Sequence, residues 1–174
     1  MTDQFIAITG FMAAGKTTVG RALAARLDCE FVDLDELIAA QQGQTIKQII
    51  EAEGEDHFRQ VETKALDRVL RETDACVVAL GGGTWMIGEN RRLLQKEKAR
   101  VVWLDAPFEL CWQRIVAAAE TRPLATSRDV AERLHSARRS IYELAELRLV
   151  VSENKSANEC AREIASLLLR NSVS

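Results

Sequence analysis

Lys16 and Thr17 close the run GFMAAGKT, Gly10 to Thr17, which matches G-x-x-x-x-G-K-[ST] in full. The run lies between an apolar stretch and an amphipathic one, the strand-then-helix setting that this motif requires. Backbone N–H groups of Gly10, Ala13, Ala14, Gly15, Lys16, Thr17 and Thr18 can surround a phosphate at the positive end of the helix dipole. Lys16 would reach the β- and γ-phosphates of ATP, and the Thr17 hydroxyl would hold Mg²⁺. Such a loop serves GTPases, ATPase motors and kinases alike. The chain carries no NKxD guanine-reading motif and is short for a motor module, so a kinase for a small molecule is the leading class.

A kinase also needs an acceptor site. In FVDLDELI, Asp33 and Asp35 are two apart, and at the end of an extended strand both would face the same side. One carboxylate can support Mg²⁺ through water while the other meets an acceptor hydroxyl. The same spacing also fits a strand-end carboxylate that caps a helix. In GEDHFRQVET, Arg59 and Glu62 share a helix face, as an exposed ion pair or as part of an anion site. Gly81, Gly82 and Gly83 follow an apolar strand and leave the backbone open to a ligand, although a tight turn uses glycines as readily.

The elements that must position these residues are five β-rich runs: Phe5 to Thr9, Cys29 to Asp33, Cys76 to Leu80, Arg100 to Asp105 and Leu147 to Val151. Helical patterns alternate with them, which predicts a parallel sheet covered on both faces. The stretch from about Glu36 to Thr73 is too long for one crossover helix, and QQGQT and AEGED divide it into about three. In AAAETRPLATSRD, Ala117 to Asp129, Arg-Pro interrupts two helical patterns and Ser127 can cap the next helix. The first stretch (about 34–73) reads as an inserted substrate-binding region and the second (about 117–129) as a lid.

The 174 residues suit one α/β domain spanning 1–174. A net charge of −3 argues against a nucleic-acid-covering surface, so any anion site must be local. Of the 23 basic residues, 17 are Arg, the side chain suited to forked anion contacts. Cys29, Cys76, Cys111 and Cys160 have neither metal spacing nor a disulfide-framework pattern and read as small core residues. The start MTDQFIAITG lacks a targeting pattern and no apolar run reaches membrane-spanning length, so a cytoplasmic protein without membrane partners is expected.

Taken in order, these motifs resemble the shikimate kinases, of the P-loop nucleoside-monophosphate-kinase-like group, from Ile6 to about Val151. GFMAAGKTTVGRALA resembles the family's opening, FVDLDELI its D-x-D segment, GEDHFRQVE its G-E-x-x-F-R-x-x-E, LGGG its glycine run, RPL its lid signature and RRSIYELA its final Arg-x-x-x-Tyr helix. The resemblance implies a three-layer α/β/α fold around a five-stranded parallel sheet. It also implies transfer of the ATP γ-phosphoryl group to the 3-hydroxyl of shikimate, a step of chorismate and aromatic amino-acid synthesis, with Mg²⁺ as cofactor and a monomeric enzyme. By the same resemblance Arg59 and Arg138 clamp the acceptor carboxylate, and Asp35 binds ring hydroxyls and helps activate one. Gly82 lies against the acceptor between Gly81 and Gly83, with Phe58 and Glu62 supporting the pocket. Asp33 acts on Mg²⁺ through water, and Arg122 closes over the transferring phosphate, leaving Lys16, Asp35 and Arg122 as the catalytic set.

Some features depart from the family pattern. Ala13 and Ala14 stand where glycine is frequent, and Trp85 follows the glycine run, where it either reshapes the acceptor site or packs in the core. The stretch from Arg114 to Arg122 is one residue longer than usual, and SENKSANE lacks the usual Pro. A kinase of the same fold for another hydroxylated acid, such as gluconate, and an inactive nucleotide-binding module remain the alternatives.

Overall fold

The computed structural model describes residues 5–118 and 127–170. Five parallel strands form one sheet in the order β2-β3-β1-β4-β5: β1 Ile6–Thr9, β2 Glu30–Asp33, β3 Ala75–Ala79, β4 Arg100–Asp105 and β5 Leu147–Val150. All five runs expected from the sequence are strands, with ends shifted by at most one residue. The central strands β1, β3 and β4 are buried along their whole length, as continuous apolar runs in a doubly covered sheet must be. At the edges, β5 alternates buried and exposed residues and β2 is only partly covered.

The helices are α1 Lys16–Leu27, α2 Leu34–Gln42, α3 Ile46–Glu53, α4 Glu55–Glu72, α5 Gly88–Lys96, α6 Phe108–Ala117, α7 Arg128–Tyr142 and α8 Ala157–Arg170, with a 3-10 turn at Thr84–Met86. The region after β2 is indeed three helices. Its joints follow from local chemistry: Gly43 ends α2 at φ 64°, Thr45 and Gln48 form a capping box for α3, and Gly54 at φ 88° starts α4. The side chain of Ser127 accepts from the Val130 N–H and caps α7. Arg122, the RPL signature and most of the expected lid lie outside the described residues.

The sheet order sends the chain from β1 outward to β2, back to β3, then across β1 to β4. Loops at the carboxyl ends of β1, β2 and β3 therefore converge on one crevice, where open α/β sheets bind ligands. Beneath it, Ile8, Leu34, Ile38, Leu66, Leu80 and Leu104 are almost fully buried and hold those strand ends rigid.

One expectation about the cysteines needs correction. Cys29 and Cys76 are joined as a disulfide with Cα atoms 6.0 Å apart, while Cys111 and Cys160 are buried and take no part in a disulfide. Pairing of β2 with β3 brings the two sulfurs together beside an irregularity at Glu30/Phe31, a proximity that a separation of 47 residues conceals in the sequence. The closed loop contains β2 and helices α2 to α4, hence most of the stretch that the sequence marks as an inserted region. A loop of that length restricts the unfolded chain by about 4 kcal/mol at most in the chain-entropy account. Reduction is expected to lower the melting temperature by several degrees, which thermal denaturation with and without a dithiol reductant checks against a Cys29→Ser/Cys76→Ser variant that should not respond.

Candidate active site

The loop after β1 takes its shape from backbone conformations that few residues tolerate. Gly10 sits at φ 146°, where a side chain would stand 2.8 Å from the Leu104 carbonyl, and Gly15 at φ 100° starts α1. Ala13 is held at φ 61°, a left-handed position that costs a non-glycine residue about 1 kcal/mol. The alanines are thus accommodated in the loop, one of them under strain. Lys16 lies over it, its Nζ donating to the carbonyls of Gly10 and Phe11, both at 3.0 Å.

Asp33 and Asp35 reach the same crevice by a different route from strand alternation. Asp33 ends β2 and caps α2, its Oδ1 accepting from the N–H groups of Asp35 (3.0 Å) and Glu36 (3.2 Å). Its other oxygen accepts from the Thr17 hydroxyl at 2.5 Å. Asp35 lies in the first turn of α2, so the cap itself aims it across from the phosphate loop. Burial and then the neighbouring Glu62 charge push the Asp35 carboxyl up to about 6, against a smaller opposing effect of Lys16.

Arg59 and Glu62 form no exposed surface pair. Glu62 is fully buried, and its Oε2 accepts from Arg59 Nη1 at 2.9 Å. A second bond to Glu55, also 2.9 Å, and the Phe58 ring 5.1 Å away complete the setting of the Arg59 guanidinium.

The three glycines after β3 are each used differently. A methyl group on Gly81 would stand 2.7 Å from both Asp35 Oδ1 and Glu62 Oε1, and one on Gly83 would stand 2.5 Å from the Arg59 guanidinium. The protein's own side chains make these close approaches. Gly82 has only ordinary neighbours, but its carbonyl accepts from Arg138 Nη1 (3.0 Å) and from the Tyr142 hydroxyl (2.8 Å). Burial pushes Tyr142 up to about 12, so that hydroxyl keeps its proton.

On α7, Arg138 turns inward to the glycine loop, whereas Arg139 turns to Asp105 and the Trp103 ring. Trp85 lies outside the crevice wall: it is buried and its Nε1 donates to the Ile141 carbonyl at 2.8 Å. His57 pairs with Glu53 on an exposed surface, and His135 packs edge-on against Phe11 and Phe108.

A cleft of about 1070 Å³ joins these groups. Ala13, Ala14, Gly15, Lys16, Thr17, Thr18, Asp33, Asp35, Arg59, Gly81, Gly82, Gly83 and Arg138 all line it. Gly10 underlies the loop, and Arg122 is outside the described residues. Thr84 and Tyr142, which sequence reasoning assigned no role, bind Glu62 and the Gly82 carbonyl respectively. Tyr142 had a signal in its four-residue spacing from Arg138, but Thr84 had none.

A glycine-rich loop and lysine at a strand-to-helix junction, opening onto a cleft that a buried carboxylate and two guanidinium groups also line, are the features of a P-loop kinase. A family model described as shikimate kinase matches residues 12–169. The chain is 37% identical over 159 residues to the shikimate kinase of Persephonella marina, covering 91% of this chain and 95% of that one. It is 40% identical over 166 residues to that of Geobacter sulfurreducens, covering 94% and 90%. The solved shikimate kinase of Acinetobacter baumannii in complex with shikimate superposes with a TM-score of 0.91 at 37% identity, covering 99% of this chain and 97% of that chain. The chain belongs to the shikimate kinase family.

Proposed function

We propose that this protein, acting as a single monomeric domain, transfers the γ-phosphoryl group of ATP to the 3-hydroxyl of shikimate. The products are shikimate 3-phosphate and ADP, in the synthesis of chorismate and the aromatic amino acids. The observation that carries this reading is the cleft itself, which Asp35, Arg59 and Arg138 line together with the phosphate loop. An acceptor bearing one carboxylate and several hydroxyls matches two guanidinium forks and one carboxyl.

In the transfer, the bond from the acceptor oxygen to the γ-phosphorus forms as the bond to the bridging oxygen of ADP breaks. The hydroxyl proton passes to Asp35. Lys16 places positive charge where the departing phosphate gains negative charge, and Arg122 does so from the lid. Loop N–H groups from Gly10 to Thr18 orient the phosphates. Beyond them, Arg114, Val151, Lys155 and Ala157 line the surface left for the nucleoside. The Thr17 hydroxyl and Asp33 carboxylate are hard oxygen donors side by side at this loop, a set that fits Mg²⁺. They would hold the ion directly and through water, and when bound it supplies charge neutralisation on the phosphates.

ADP release with Mg·ATP should depend on shikimate, with neither gluconate nor the absence of an acceptor supporting it. Arg138→Ala is expected to raise KM for shikimate roughly 10- to 100-fold, from the loss of a charged hydrogen-bond donor. Its kcat should change far less, whereas Arg122→Ala should lower kcat. Release with gluconate equal to that with shikimate would overturn the assignment.

A further inference from the structure

We infer that Thr84 is a positioning residue for acceptor binding: its buried hydroxyl fixes Glu62, and through Glu62 it fixes the Arg59 guanidinium. This rests on the proposed contact between Arg59 and the acceptor carboxylate. Thr84 does not line the cleft and so reaches the acceptor only through others.

The geometry is a relay of rigid parts. Thr84 is fully buried at the start of the 3-10 turn, its N–H donating to the Gly81 carbonyl at 3.1 Å and its own carbonyl accepting from Asn90 Nδ2 at 3.0 Å. With the backbone tied on both sides, its Oγ1 stands where it donates to Glu62 Oε1 at 2.5 Å. Glu62 is therefore held from opposite directions, by Thr84 on one oxygen and by Arg59 on the other.

Removal of the hydroxyl leaves a buried carboxylate oxygen without its donor, an expensive state. Arg59 already donates to the other oxygen of Glu62. Glu62 would turn to share both oxygens with that guanidinium, drawing it away from the acceptor. The Gly83 backbone lies close against Arg59, since an added Cβ there would stand 2.5 Å from the guanidinium, so the position of that group is set closely.

Steady-state kinetics on Thr84→Val, Thr84→Ser and Arg59→Ala test this. Thr84→Val keeps the shape and removes the donor, and is expected to raise KM for shikimate roughly fivefold or more. Both kcat and KM for Mg·ATP should stay within about twofold, Thr84→Ser should match the wild type to the same margin, and Thr84→Val should add less than about twofold in the Arg59→Ala background. Should the valine variant fail to fold, Thr84→Ala carries the same expectation.

A valine variant indistinguishable from wild type, a serine variant as impaired as valine, or full multiplication of the two losses in the double variant would each overturn the inference. If Arg59→Ala raises the acceptor KM while Thr84→Val does not, only the role of Thr84 falls. If Arg59→Ala leaves that KM unchanged, the proposed acceptor contact falls with it.

Discussion

Asp35→Asn is expected to lower turnover roughly 10²- to 10⁴-fold, the range for loss of a positioned general base, while making the ligand-free protein more stable at pH 8. Both effects come from one cause. Asp35 is surrounded by protein atoms and by the Glu62 charge, which hold its carboxyl near 6 rather than at the ordinary 3.8. A carboxyl raised in this way binds protons more tightly in the folded state than in the unfolded state. Its favourable contribution is complete below pH 4 and is lost as pH rises through 6, so at pH 8 the ionised group is a net burden. A shift of this size corresponds to about 3 kcal/mol.

Asparagine carries no charge and relieves that burden. Its melting temperature should exceed that of the wild type by several degrees at pH 8, and the two should converge near pH 4. For the wild type, kcat/KM for shikimate should fall about tenfold per pH unit below about 6, because that ratio reports the essential groups of the enzyme before the acceptor binds. Thermal denaturation across pH, with acceptor kinetics at saturating Mg·ATP, checks both. An Asn variant that retains turnover would remove Asp35 from the chemistry, and one no more stable at pH 8 would remove the account of its raised proton affinity.

The features legible in the sequence are those whose chemistry is contiguous. The five strands announce themselves as short apolar runs, and the phosphate loop is one unbroken motif between a strand and a helix. The three helices after β2 are marked by Gly43, Thr45 and Gly54, each acting on its own neighbours. Even the pairing of Asp33 with Asp35 is visible, although the mechanism differs. Of the two alternatives open in the sequence, the helix cap is the one Asp33 forms with one oxygen, while its other oxygen accepts from the Thr17 hydroxyl at the phosphate loop.

What the sequence conceals depends on tertiary proximity. Glu62 meets Thr84 across 22 positions, Trp85 meets Ile141 across 56, and Tyr142 meets Gly82 across 60. No local pattern distinguishes an Arg59–Glu62 pair on a solvated helix face from the buried one found here. The difference lies in the glycine turn and the 3-10 turn after β3, which lie against α4. The same holds for Trp85, whose indole N–H ties the turn after β3 to the end of α7 and so steadies the helix that carries Arg138.

Lys16→Met should reduce turnover by roughly three orders of magnitude, as expected for removal of a donor preorganised toward developing charge. Methionine keeps much of the stem and little of the polarity, so the loss isolates the ammonium group. In the ligand-free protein that group donates to the carbonyls of Gly10 and Phe11. These bonds hold it above the loop at the place where the β- and γ-phosphates of ATP would arrive. Exchange of two carbonyl partners for phosphate oxygens needs little reorganisation, which is how such a lysine can stabilise the transition state more than the ground state. Loss of the two carbonyl bonds should cost only about 1 kcal/mol each at most, so the variant should remain folded at 25 °C by circular dichroism. Single-turnover kinetics with saturating shikimate would separate weakened nucleotide binding from slowed transfer. Transfer at the wild-type rate in the folded variant would mean that the loop binds phosphate without assisting its departure, and the charge acting on the leaving group would have to come from elsewhere in the cleft.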